Sequence, residues 1–146
     1  VPHSELSSVT QALPGEAFLI EEMVTGTLVE MLVGVVRDPA HGFVLTIGAG
    51  GVMTEILQDT VSLLVPSSET VVKQSLTQLR IHPLLIGFRG KPAVDLDALV
   101  QSIMAVQAYV IAHQDRIEEV EINPLMCGSD AAVAADALIR IAPERN

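Results

Sequence analysis

The chain has 146 residues, about half of them hydrophobic, and its 18 acidic and eight basic side chains give a formal net charge of −10. That length suits one domain with a real core, and no apolar run approaches the roughly 20 residues that a membrane-spanning helix needs. Strong acidity with one Tyr, three Phe and no Trp argues against a nucleic-acid surface, so neither nucleic acid nor a membrane is an expected partner.

The N-terminal third predicts the end of a preceding segment, followed by a β-hairpin. Val1–Leu13 is polar without a clear period, and we interpret residues 1–16 as the end of a preceding segment. Ala17–Val24 and Leu28–Val36 are rich in Val, Ile, Leu and Met, with Thr25-Gly26 between them. Two apolar runs around such a break are typical of a hairpin.

The rest of the chain mixes strands and helices. Phe43–Ile47 and Val61–Val65 have the composition of strands. Apolar residues spaced three and four apart predict two helices with capping residues before them. These are Glu69 to about Leu79 after Ser67 or Ser68, and Leu96 to about His113 after Asp95. Hairpins interleaved with helices predict an α+β fold, a largely antiparallel sheet packed against helices.

Two short strands near the C-terminus carry the most informative polar residues. Glu121 and Asn123 lie in the first strand, and Asp136 is the only charge between Ala131 and Ile139 in the second. A hairpin with Ser129-Asp130 at its tip would place Asn123 directly opposite Asp136, with their β-carbons roughly 4.5–5.5 Å apart. Oxygen ligands at that separation suit Mg²⁺. The alternative is an ordinary edge hairpin with a solvated polar face.

A glycine cluster, Gly48-Ala49-Gly50-Gly51, follows the third strand. Glycines let a chain turn sharply and bring N–H groups close to an anion. The spacing matches neither the dinucleotide fingerprint nor a P-loop. A phosphate cradle and a turn without a ligand therefore both stay open.

Isolated charges and the single cysteine are less specific signals. Glu21-Glu22 and Glu30 interrupt apolar runs, where solvation on an open sheet face is the simple explanation. Arg89, in a glycine-flanked loop, suits a phosphate or a surface acid equally well. The single Cys127 is compatible with a reducing, cytoplasmic location, and we expect it to be a small buried hydrophobe.

Together these segments resemble the ATP-grasp region of nucleoside-diphosphate-forming acyl-CoA synthetases. The relatives include the β region of ADP-forming acetyl-CoA synthetase and the β subunit of succinyl-CoA synthetase. The resemblance runs from about Ala17 to Ile141 and rests on five motifs in the same order. These motifs are Glu21–Val24, Glu30–Pro39, Gly48–Glu55, Leu85–Gly90 and Glu121–Leu125.

The resemblance implies roles for individual residues. Asn123 and Asp136 match magnesium ligands, and Glu121 matches an acid that helps hold a phosphohistidine near the nucleotide. Ile20–Met23 matches the strand whose backbone reads adenine. The remaining implied contacts to ATP or ADP are Glu21 or Glu22 at the ribose, and Gly50, Gly51 and Arg89 near the phosphates. The implied reaction interconverts acyl-CoA, phosphate and nucleoside diphosphate with acid, CoA and triphosphate through acyl-phosphate and phosphohistidine intermediates.

Parts that the family needs are missing from this sequence. Neither Lys73 nor Lys91 precedes the adenine segment, and His41 replaces the usual aromatic residue after Asp-Pro. We therefore expect residues 17–146 to be a C-terminal ATP-grasp subdomain, inactive alone. Its expected partners are the first ATP-grasp subdomain and a CoA-binding domain or α subunit, with CoA and a carboxylic acid as substrates. A ligand-sensing module of a protein acetyltransferase fusion and a plain interaction domain are the alternatives.

Overall fold

A computed structural model describes residues 2–51 and 58–143 of the chain. A 3₁₀ turn at His3–Glu5 precedes the first helix. The helices are α1 (Leu6–Ala12), α2 (Glu69–Leu76), α3 (His82–Leu85) and α4 (Leu96–Ala112). The strands are β1 (Val29–Asp38), β2 (Gly42–Ala49), β3 (Thr60–Leu64), β4 (Ile117–Cys127), β5 (Ala132–Ala134) and β6 (Ala137–Ile141).

The described strands form one six-stranded sheet in the order β3-β2-β1-β4-β5, and β6 also pairs with β4. Every pairing is antiparallel. The predicted α+β class with a largely antiparallel sheet is confirmed. β1 is the central strand because β2 and β4 pair with its two edges.

Helices cover one face of this sheet. Side chains alternate along a strand, and β1 turns Met31, Val33 and Val35 into the core with no exposed surface. The core side chains of α4 are Leu99, Val100, Ile103, Val106 and Val110, and α2 adds Val72 and Leu76. We call the opposite surface of β1, β2, β4 and β6 the open face, because neither α2 nor α4 lies on it.

The two long helices begin where the capping residues predict. The Ser68 hydroxyl accepts a hydrogen bond from the Val71 N–H at 3.4 Å, and the Asp95 carboxylate accepts one from the Ala98 N–H at 2.9 Å. Each bond satisfies an N–H that the first helical turn leaves unpaired. The sequence therefore places both helix starts correctly.

The predicted strand over Ala17–Val24 is wrong, because these residues form no strand and their side chains are mostly exposed. A strand needs a neighbour to receive its hydrogen bonds. Leu28–Val36 was its predicted partner, but β1 already gives one edge to β2 and the other to β4. The apolar composition is therefore misleading here, because no free edge of β1 remains for this segment.

Two helices are not predicted by the sequence patterns. Leu6–Ala12 is helical despite its polar composition, and His82–Leu85 forms a single turn within a stretch expected to be irregular. The polar residues of α1 leave too few apolar positions to show a helical period, and the Ser8 and Thr10 hydroxyls bond to the Glu5 and Leu6 carbonyls. The proposed division of the chain at residue 16 stays a prediction. Within the described residues, no helix is both long and apolar enough to cross a membrane.

Candidate functional site

A β-bulge in β4 aims Asn123 across the open face. Met31 of β1 pairs with Leu125 and Val33 pairs with Ile122, so two steps along β1 match three along β4. An extra residue of this kind bends its strand and redirects a side chain. The Asn123 Oδ1 accepts a hydrogen bond from the Gly51 N–H at 2.9 Å. The bulge therefore joins β4 to the glycine cluster on the far side of β1.

Asp136 lies directly across from Asn123, as the sequence predicts. Leu125 pairs with Ala134 and Ile122 with Ala137, and the Asn123 N–H donates to the Asp136 carbonyl at 3.3 Å. The Gly128 N–H donates to the Ala131 carbonyl at 2.8 Å, which leaves Ser129 and Asp130 at the tip of the turn. The predicted register is confirmed. The Asp136 carboxylate is exposed, and from the described residues it accepts one hydrogen bond, donated by the adjacent Ala137 N–H.

Gly50 and Gly51 allow the chain to press against β1. The Gly50 N–H donates to the Glu30 carbonyl at 2.8 Å, and a β-carbon on Gly50 would collide with the Met31 backbone. Gly51 has φ +58°, and a β-carbon there would collide with the Glu30 carboxylate. Only glycine meets both demands without strain. Both N–H groups are already paired, so a phosphate cradle would require Gly51 to exchange its bond with Asn123.

Glu30 is the site residue that the sequence analysis left out. Its exposed carboxylate lies beside Gly51, so Glu30, Gly51 and Asn123 meet where β1, β2 and β4 converge. The signal in the sequence was a charge within an apolar strand, which solvation alone could explain. Only the packing of Gly51 against β1 shows that Glu30 belongs to the same cluster.

Glu121 lies on the open face, one row from Asn123 along β4. It pairs with Gly34 of β1 on one side and with Leu138 of β6 on the other, and it is half-buried. In the next row Arg140 Nη2 forms an ion pair with Glu119 Oε2 at 3.1 Å. The structure therefore brings Glu121, Asn123 and Asp136 onto neighbouring positions of one hairpin.

The segment around Glu21 forms one wall of a cleft of about 700 Å³. Glu21–Thr25 faces residues of the β4–β5 hairpin. The hairpin residues include Met126, Asp130, Val133 and Ala135. The cleft ends next to Asp136, since Ala135 precedes it in the chain. Glu21, Glu22 and Met23 are therefore close to the predicted metal ligands although they form no strand.

Arg89 is a predicted site residue for which the described residues show no contact with this cluster. It lies in the loop after α3 with φ +49°, is exposed, and places its guanidinium 5.3 Å from the Phe88 ring centroid. Among the described residues it forms no ion pair, so the alternative of a surface acid partner is not observed. The motif segment Val52–Glu55 lies outside the described residues.

The thiol of Cys127 is buried, as expected, and burial raises its pKa to about 12. We expect Ellman's reagent at pH 8 to react with this thiol only after urea unfolds the protein, because the nucleophile is the thiolate. Because the native pKa exceeds the ordinary value of 9.0, the thiol's contribution to stability is complete below pH 9. That contribution is lost as the pH rises from 9 toward 12.

A Cys127→Ala variant is the matched control for the alkaline loss of stability. The fall in urea midpoint between pH 8 and pH 10 should be smaller in this variant than in the parent chain. An equal fall in both proteins, or rapid labelling of the native protein, would contradict the assigned pKa.

Comparison with known proteins places this chain in a family. Residues 5–141 match the family model described as an ATP-grasp domain. The β subunit of an ADP-forming acetate–CoA ligase II from Pyrococcus furiosus is 32% identical over 112 residues, covering 75% of this chain and 48% of that protein. A trans-feruloyl-CoA synthase from an unknown prokaryotic organism is 34% identical over 143 residues, covering 95% of this chain and 20% of that protein.

A solved structure has the same fold. It is the dinucleotide-forming acetyl-coenzyme A synthetase 1 of Ca. Korarchaeum cryptofilum, with a TM-score of 0.73 and 28% identity over 78% of this chain and 53% of that chain. That protein is in complex with coenzyme A and Mg-AMPPCP, with its phosphohistidine segment pointing towards the nucleotide-binding site. The chain spans about half the length of the ligase β subunit and of this structural neighbour.

Proposed function

The chain belongs to the ATP-grasp domain family, and from this premise we propose that it forms half of the nucleotide site of an ADP-forming acyl-CoA synthetase. The observation that carries the proposal is the hydrogen bond from the Gly51 N–H to Asn123 Oδ1, with Asp136 directly across the hairpin. The first contact joins the glycine cluster to Asn123, and the strand pairing sets Asp136 beside Asn123.

The donor set fits magnesium. Asn123 offers an amide oxygen and Asp136 an exposed carboxylate, from two paired strands. In the described residues no three His, Cys, Asp or Glu side chains lie close enough to hold an ion. Two protein oxygens are enough for Mg²⁺, which keeps several waters and takes other ligands from phosphates. Bound magnesium would offset the negative charge of the transferred phosphoryl group.

The nucleotide would extend from this pair into the cleft beside Glu21–Thr25. Met23 and Met126 offer apolar contact to a base, and the Glu21 and Glu22 carboxylates can accept hydrogen bonds from ribose hydroxyls. The bound phosphates would then lie near Asn123 and Gly51. No described contact joins Arg89 to Asn123 or Gly51, so its role is the least supported by the geometry.

Glu121 would hold the histidine that carries the phosphoryl group. A carboxylate that accepts a hydrogen bond from one imidazole nitrogen orients the ring. In the transfer to ADP, the P–N bond of phosphohistidine breaks as a P–O bond forms to the terminal phosphate oxygen of ADP. The ring nitrogen leaves with the electron pair of the broken bond. Glu121 contributes orientation, and positioning is the main source of rate in such transfers.

The histidine, the CoA site and the first ATP-grasp subdomain would come from the rest of the enzyme, so the isolated chain should bind nucleotide without turnover. The test is Mn²⁺, a paramagnetic stand-in for Mg²⁺, titrated into ¹⁵N-labelled protein with and without ATP. We expect line broadening centred on the amides of Gly51, Asn123 and Ala137, and stronger broadening when ATP is present.

An Asp115→Asn variant is the control for surface binding. Asp115 is an exposed carboxylate in the turn before β4, at the far end of that strand from Asn123, roughly 20 Å away. Its removal should leave the pattern unchanged. Broadening scattered over surface acids, or broadening that does not respond to ATP, would overturn the proposal.

A further inference from the structure

Gly34 lies at the centre of the central strand, where a glycine is costly. It pairs with Thr46 of β2 and with Glu121 of β4. Since Met31, Val33 and Val35 point into the core, a side chain at position 34 would point to the open face. Glycine in a strand interior weakens the strand because it gives up backbone entropy and has no side chain to pack.

The residues that the structure describes give no steric reason for this glycine. Its φ is not positive, and a β-carbon would meet, among the described residues, only the Val120 carbonyl oxygen at 4.0 Å. A β-carbon on Gly48 or Gly50, by contrast, would collide with neighbouring backbone. A strand glycine often marks a bulge, a tight bend, or a place where another backbone or a ligand approaches closely. The bulge here lies in β4 opposite Met31 and Val33, and the pairing at Gly34 itself is regular, which leaves the close approach.

The position of Gly34 indicates what approaches. Glu121 is its cross-strand neighbour, and Asn123 lies one row further along β4. Two apolar side chains near Gly34 on the open face have about half of their surface exposed: Val36 at 48%, one row along β1, and Leu138 at 51%, beyond Glu121 in the row of Gly34. A glycine beside a carboxylate and near exposed apolar side chains suits a peptide segment, which has both polar and apolar groups, more than a small polar ligand.

We infer that Gly34 is a positioning residue that keeps the open face low, so that the backbone of a phosphohistidine segment can cross β1 and present its imidazole to Glu121. The inference rests on the proposed function. Gly34 is itself buried between its neighbours. A methyl group would therefore fill the depression, and a branched side chain would rise above it and displace the segment.

The test compares Gly34→Ala and Gly34→Val in the intact synthetase, with Val44→Ile as the control. Val44 lies on the same open face in the row of Val36, one strand further from Glu121. Two quantities are measured: the Kd for magnesium ATP, and the single-turnover rate of phosphoryl transfer from the phosphohistidine to ADP. We expect Gly34→Val to slow the transfer roughly tenfold or more. The nucleotide Kd should stay within about twofold of the parent value, because the substitution does not change the residues proposed to bind the nucleotide.

Gly34→Ala should raise the melting temperature and slow the transfer less than Gly34→Val, and Val44→Ile should change neither quantity. A parent-like transfer rate in Gly34→Val, or equal losses of transfer and nucleotide binding, would overturn the inference. If Gly34→Val does not fold, a parent-like rate in Gly34→Ala overturns it and a slower rate with unchanged Kd supports it. Failure of the parent enzyme itself to bind magnesium ATP would instead refute the proposed function.

Discussion

Asp136→Asn should weaken the binding of magnesium ATP to this chain about 10- to 100-fold, as measured by isothermal titration calorimetry. A charge-assisted interaction contributes about 1.5–3 kcal/mol, and each 1.4 kcal/mol is a factor of ten in Kd. The fold should survive, because the Asp136 side chain is exposed and its one hydrogen bond within the described part of the chain comes from the Ala137 N–H. An asparagine amide oxygen can accept the same bond.

The matched control for this prediction is again Asp115→Asn, which removes the same charge from the same acidic chain. Unpaired acids repel the nucleotide over a distance set by the ionic strength. If Asp136→Asn bound magnesium ATP as tightly as Asp115→Asn, the carboxylate of Asp136 would not be a metal ligand. The comparison at two salt concentrations separates direct ligation from the general repulsion.

Asp59→Ala should lower the free energy of unfolding by about 3 kcal/mol and the melting temperature by roughly 10 °C. Asp59 is 6% exposed, and its two carboxylate oxygens accept hydrogen bonds from the Arg80 N–H at 2.8 Å and the Ile81 N–H at 2.9 Å. Its carbonyl also accepts the Ala49 N–H at 3.0 Å. The alanine would leave the N–H groups before α3 without their acceptor, at a cost that the relief of a buried charge offsets only in part.

Asp97→Ala is the control for Asp59, and urea unfolding measures both. The Asp97 carboxylate is largely exposed and lies 3.2 Å from Lys73 Nζ, so its loss should cost less than about 1 kcal/mol. Asp59→Asn keeps one acceptor oxygen and should fall between the two alanine variants. Equal losses in Asp59→Ala and Asp97→Ala would show that the buried hydrogen bonds do not carry the stability assigned to them.

The local patterns of this chain were enough to predict most of its elements. Apolar residues three and four apart specified α2 and α4, and Ser68 and Asp95 marked where these helices begin. Those signals act within one or two turns, so they do not depend on the rest of the fold. The hairpin register that sets Asn123 opposite Asp136 was also predictable, because a short turn determines which residues face each other.

Long-range packing decided what the local patterns left open. Ala17–Val24 has the composition of a strand, yet β2 and β4 occupy both edges of β1. Glu30 joined the site only because Gly51, 21 positions later in the chain, packs against its carboxylate. The bulge that turns Asn123 toward Gly51 arises from the register between β1 and β4, which are separated by most of the chain. The sequence alone thus determined most of the helices and strands and the chemistry of the predicted ligands. The pairing of distant strands decided which side chains meet, because contacts between distant segments leave no local period to detect.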